Sequence, residues 1–128
     1  MTRPQLEKRS MKFSVDVKHL CEELRKHPIA WDTAAQLLDS ATSMAANYRA
    51  TSRSRSRDEW VAKLGVVAEE ADESVHWLEF TRASQLAPEA RVDPLLAEAI
   101  ELRAIFAASY ATSRRNRGKR RPPHRPDQ

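Results

Sequence analysis

The chain is 128 residues long, carries a net charge of +4 and contains 2 glycines and 1 cysteine. A single cysteine rules out an internal disulfide, and so few glycines leave little from which to build a phosphate-cradling loop or a dinucleotide fingerprint. No apolar stretch is long enough to span a bilayer, and Met1 to Ser10 lack the apolar core of a signal segment. The expectation is therefore one cytoplasmic domain with no membrane partner and no cofactor.

In chain order, residues 1–11 read as a flexible arm, residues 12–113 as a four-helix bundle and residues 114–128 as a basic Arg/Pro-rich tail. The first helix has Phe13, Val17, Leu20, Cys21 and Leu24 as its apolar stripe and ends before Pro28, which pushes its predecessor out of the helical region. Asp32 is placed to cap the second helix, where Leu37, Leu38, Ala41, Met44, Ala45 and Tyr48 recur at three- and four-residue steps. Ser56 with Glu59 three positions on reads as a capping box that starts a third helix near Arg57. That helix runs to about Ser84 on Trp60, Val61, Leu64, Val67, Ala68, Ala71, Val75 and Leu78. Asp93 and Pro94 signal the start of the fourth, which carries Leu95, Ala99, Leu102, Phe106, Ser109 and Tyr110 inward and frays near Arg115. Gly118, Pro122, Pro123 and Pro126 suit the tail to disorder. Short connections between four helices predict an all-α, antiparallel up-down-up-down bundle with a disordered basic C-terminal tail.

Charge is unevenly spread. Residues 113–128 contribute +6 and the connector from Arg49 to Arg57 contributes +4, so the rest of the chain carries −6. The connector cations Arg49, Arg53, Arg55 and Arg57, with Lys63 beyond them, are candidate phosphate contacts. So are Arg114, Arg115, Arg117, Lys119, Arg120 and Arg121 in the tail, since such patches attract polyanions by counterion release. The plainer reading of the TSRSRSR run is a helix-to-helix turn with a capping serine, and that of the tail is a solubilising extension. Trp31, Trp77 and Phe80 fall off the main stripes and are candidates for an oligomer interface.

Other constellations favour structural readings. Glu73 and His76 have the Glu-x-x-His spacing of di-iron bundles, and Asp16 with His19 repeats it with a shorter acid, but the fourth helix offers no second histidine. The acidic run Glu69, Glu70, Asp72 and Glu73 has no nucleophile beside it and reads as a solvated helix face. Cys21 reads as a small buried apolar residue.

The runs from Gln36 to Ala50 and from Arg55 to Ser74, and the Trp77-Leu78-Glu79 that follows, resemble the four helix bundle protein family. That family includes proteins encoded within intervening sequences of bacterial 23S ribosomal RNA and the accessory protein of diversity-generating retroelements. The likeness extends more loosely from about Phe13 to Ser113. It implies a link to ribosomal RNA or similar mobile elements, a homopentamer by analogy with members that form rings of five, and a structural polar contact between Asn47 and Glu73. The family has no established catalytic residues, so the expectation is a non-enzymatic, oligomeric bundle that binds structured RNA. The rivals are a protein–protein adaptor, for example for a reverse transcriptase-like partner, and a di-iron enzyme.

Overall fold

A computed structural model describes residues 1–117. They form four helices, α1 (Arg3–Leu24), α2 (Trp31–Ala50), α3 (Arg57–Ala83) and α4 (Glu89–Arg117), and no strand occurs among the described residues.

Helix α1 begins nine residues before the expected start of the bundle at residue 12, so residues 3–11 are helical where a flexible arm was expected. The cause is a capping box at the chain start. Thr2 Oγ1 accepts from the Gln5 amide at 3.2 Å, and the Gln5 side chain accepts from the Thr2 amide at 2.8 Å. Pro4 falls in the first turn, where a helix has no use for an amide hydrogen. The new turns are held by burial of Leu6 and Ser10, and by Arg9, whose Nε donates to Glu98 at 2.8 Å. Helix α1 ends at Leu24, and His27 is extended ahead of Pro28.

A 3-10 turn, Pro28–Ala30, leads straight into α2. Ala30 occupies the cap position without a side-chain bond, and Asp32 lies inside the first turn. Asp32 therefore complements the helix dipole and is not the cap expected of it. At the start of α3, Ser56 accepts from the Glu59 amide at 3.0 Å. The glutamate side chain turns instead to Lys63 and Arg55. Helix α3 closes with Gln85 in the left-handed region at φ 57°, its amide on the Arg82 carbonyl and the Leu86 amide on the Thr81 carbonyl. This paired pattern satisfies two of the helix's last carbonyls.

Helix α4 starts at Glu89, with the Pro88 carbonyl accepting from Arg91 and Val92. The expected Asp93–Pro94 start is corrected accordingly: Pro94 lies within the helix and leaves the carbonyl four residues back without its usual donor. What carries the helix through is burial of Val92 and the ion pair of Asp93 with Arg82 Nε at 2.6 Å. At the other end α4 continues to Arg117, so residues 114–117 are helix and not tail; residues 118–128 lie outside the described residues.

Phe13, Val17, Leu20 and Leu24 of α1 meet Leu37, Ala41 and Met44 of α2 in one core. Leu64, Val67, Ala71, Val75 and Leu78 of α3, with Val92, Ala99, Leu102 and Phe106 of α4, complete it. Helix α3 has the most extensive contacts, against α4 and α2, and α1 touches α4 more lightly. Small side chains line two seams: Ser14 Oγ donates to the Ala41 carbonyl at 2.9 Å, and the Ser40 and Ser74 hydroxyls lie 3.0 Å apart. Tyr110 leans on Gly65, where an added Cβ would come within 2.9 Å of the ring. No helix among the described residues is long and apolar enough to cross a membrane.

Removing the cap should uncouple the first turns of α1. Thr2→Ala is expected to lower unfolding stability by about 1 kcal/mol and to speed amide hydrogen exchange over residues 3–8. Unchanged exchange there would show that Leu6 and Arg9 hold the segment without the cap.

Candidate nucleic-acid interface

The chain between α2 and α3 turns on hydroxyls. Thr51 Oγ1 donates to the Tyr48 carbonyl at 2.6 Å, Ser52 Oγ to Arg49 at 2.9 Å, and Ser54 Oγ to Thr51 at 2.8 Å. Each adds a side-chain donor to a carbonyl at or just past the end of α2, where the regular i to i+4 ladder runs out. With the hydroxyls turned back on the main chain, the interleaved arginines point outward. Arg49, Arg53, Arg55 and Arg57 are all exposed.

The four arginines are not equivalent. Arg49 and Arg53 border a shallow groove of about 430 Å³ with Met11, Thr42 and Ala45. Arg55 and Lys63 both reach Glu59, at 3.5 and 3.2 Å. The Lys63 hydrogen bond, helped by Arg55, holds the Glu59 carboxyl below its usual range. The guanidinium of Arg57 lies 5.2 Å from the centre of the Trp60 ring, a cation–π distance.

Arg3, far away in sequence, joins this end. Its Nη2 donates to the Tyr48 carbonyl at 2.8 Å and to Thr51 Oγ1 at 2.6 Å, and its guanidinium carbon stands 4.7 Å over the Tyr48 ring. Tyr48 in turn packs on Phe106, with ring centres 5.0 Å apart. Arg3, Tyr48, Trp60, Leu64, Ser109 and Thr112 line a cleft of about 400 Å³. The cleft shows that the start of α1, the end of α2, the start of α3 and the end of α4 meet. Arg114 and Arg115 lie in the last turns of α4 and are exposed. The fold thus brings Arg114 and Arg115 to the same end as Arg49, Arg53, Arg55, Arg57 and Lys63. The side chain of Arg117, and Lys119, Arg120 and Arg121 altogether, lie outside the described residues.

The other expected sites fare differently. Asn47 donates to the Ser43 carbonyl of its own helix at 2.8 Å, and Glu73 is exposed. The polar contact between α2 and α3 is therefore Ser40 with Ser74, not Asn47 with Glu73. Trp77 is half-buried against the core and meets Phe80 edge to face at 6.0 Å and His76 edge to face at 4.8 Å. Trp31 stands on another helix, where its Nε1 donates to the Arg25 carbonyl at 2.8 Å. Its ring and that of Phe80 are both exposed.

Among the described residues no three metal-ligating side chains come together. Asp72 is paired with Arg103 at 3.1 Å. Glu70 is unusual, since its Oε2 is buried without a hydrogen-bond partner. Burial, followed by the charges of Glu73 and Asp39, pushes its carboxyl up. Cys21 is buried with its Sγ on the Ala34 carbonyl at 3.4 Å, and burial pushes its thiol up to about 11, far from a reactive thiolate.

Sequence reading missed Arg3 and the cleft. Tyr48 and Trp60 were visible as stripe residues, but no local pattern joins positions 3, 48, 60 and 112.

Fold and site together define a class: an all-α protein of four helices with arginines gathered at one end. The chain belongs to the 23S rRNA-intervening sequence protein family, whose model matches residues 4–108. Among solved structures it is similar to a protein of unknown function from the S23 ribosomal protein family of Bacteroides thetaiotaomicron. The two share 23% sequence identity and a TM-score of 0.76 over 82% of this chain and 97% of the other. At that identity the likeness bears on the fold alone. No curated protein matches the chain.

The partly buried Glu70 carboxylate gives a pH test. A folded-state pKa raised above the unfolded value makes the ionised group a cost, absent below the unfolded pKa and fully present above the folded one. Glu70→Gln should therefore raise the melting temperature at pH 7 and lose that advantage as the pH falls through the carboxylate range to about 3. A gain of equal size at both pH values would point to a cause other than charge.

Proposed function

We propose that this chain is a non-enzymatic, oligomeric bundle of up-down-up-down sense that binds structured RNA through its arginine-rich end and tail. Supporting the helix order, Ser14 meets Ala41 while Cys21 meets Ala34, and Gly65 meets Tyr110 while Arg82 meets Asp93. Partner numbers fall along one helix as they rise along the other in both pairs. The observation that carries the RNA reading is the convergence of connector and α4 arginines on one end of an otherwise acidic chain. RNA helices are recognised largely through shape and phosphate contacts, which cations on a rigid frame can supply without a sequence code. Family membership agrees with a ribosomal RNA context. In a homopentamer, the oligomer the resemblance implies, five copies of the basic end would make a rim. The Trp77–Phe80 patch is available to build the contacts between copies. The lone buried thiol suits a reducing cytoplasm.

One observation favours the adaptor as a second reading. Trp77 and Phe80 form an aromatic patch on α3 that a protein partner, for example a reverse transcriptase-like one, would cover as readily as a second copy of the chain.

Binding of an RNA hairpin, titrated with salt, tests the first reading. The expected result is binding at about 50 mM salt that weakens steeply as salt rises. Replacing Arg53, Arg55 and Arg57 with Gln should reduce the slope of log K against log salt by about one for each phosphate that is no longer neutralised. The Arg114→Gln, Arg115→Gln pair should do the same independently. No binding at low salt by the unaltered chain would remove the RNA reading and leave the adaptor.

A further inference from the structure

The arginines explain attraction to phosphate, but not why a cleft with aromatics in its lining opens among them. The cleft of about 400 Å³ falls within the range of small-ligand sites, roughly 300–1,000 Å³. Tyr48 and Trp60 line it together with the buried Leu64. Ser109 and Thr112 add hydroxyls, which can donate or accept. Each ring already has a guanidinium against it, Arg3 on Tyr48 and Arg57 on Trp60. Arg3 is committed to the carbonyl of Tyr48 and the hydroxyl of Thr51, so it stiffens the lining there. The groove at Met11, Arg49 and Arg53 is of similar size but has no aromatic in its lining.

Flat rings, hydroxyls and flanking cations in one recess match the chemistry of one ligand class. A nucleobase has two π faces, a polar edge, and a phosphate on either side of its sugar. Bases reach aromatic side chains in this way only when unpaired, in loops, bulges and ends. We propose that the Tyr48–Trp60 cleft receives a single unpaired base from the loop of a bound RNA hairpin, while Arg57 and the exposed Arg114 and Arg115 hold the neighbouring phosphates. The inference rests on the RNA reading above and narrows it from a stem held by charge to a stem–loop held at its loop.

The test uses the full-length chain and three forms of one hairpin: unmodified, with one loop base replaced by 2-aminopurine, and abasic at that position, with each loop position tried in turn. At one position the abasic form is expected to bind about tenfold more weakly, in line with the loss of one stacked base. There the 2-aminopurine fluorescence should be quenched on binding. Thr112→Phe fills the cleft from an exposed helix position. It should abolish both effects while leaving the salt-dependent binding of the abasic hairpin in place. Trp60→Leu should likewise remove the quenching and the abasic penalty, and Thr112→Phe decides the matter if that variant fails to fold. Equal affinity for unmodified and abasic loops at every position, with no quenching, would overturn the cleft assignment and leave RNA binding standing. Failure of every hairpin to bind at low salt would instead remove the RNA reading, and this inference with it.

Discussion

One guanidinium holds the basic end together. The last carbonyls of any helix lack intrahelical donors, and the end of a helix attracts positive charge. Arg3 answers both needs at the end of α2 by donating to the Tyr48 carbonyl and the Thr51 hydroxyl. Because Arg3 sits in the first turn of α1, the same bonds fasten the beginning of the chain to residues more than forty positions on. Its face rests on Tyr48, and Tyr48 rests on Phe106 of α4. Three helices are thereby fixed relative to one another at the place where the connector leaves α2. The outward path of Arg53, Arg55 and Arg57, and the opening of the cleft between Tyr48 and Trp60, both follow from that arrangement.

The apolar stripes were legible because their period is that of a helix, and their centre is the centre of the observed core. Leu38, Tyr48, Trp60, Leu95 and Tyr110 are only partly buried, while Leu6, Ala30, Ala34 and Val92 join the core from outside the stripes. Phe13, Val17, Leu20 and Leu24 are buried as the spacing indicates, as are Leu64, Val67, Ala71 and Leu78. Legibility ended where the buried residue is polar. The first turns of α1 bury Leu6, then Ser10 and Ser14, a face with too little apolar character to announce a helix. The α2–α3 seam is similar, since Ser40 and Ser74 satisfy each other. Serine in a helix sequence does not reveal whether it faces water or a neighbour.

Caps misled in a different way. Asp93 before Pro94 is a strong local signal for a helix start, but tertiary burial of Val92 and the Arg82 ion pairs draw the helix back to Glu89. The site shows the same division. The arginines of the connector could be read from the chain because they are adjacent in it. The cleft could not, because its lining is drawn from all four helices.

Where the cations sit also bears on how the end behaves without a ligand. Arg49 lies in the last turn of α2, and Arg114 and Arg115 close to the end of α4, so helix dipoles favour positive charge at these positions. Helix α3 presents the opposite pole there and carries Asp58 and Glu59 in its first turn. Glu59 draws Arg55 and Lys63 toward itself, but such exposed pairs contribute little and are screened by salt. A polyanion offering several phosphates at once can displace one carboxylate from two cations at small cost. The acids of α3 thus keep the end from repelling itself when empty. They leave its charge available when the competing anion is a phosphate backbone.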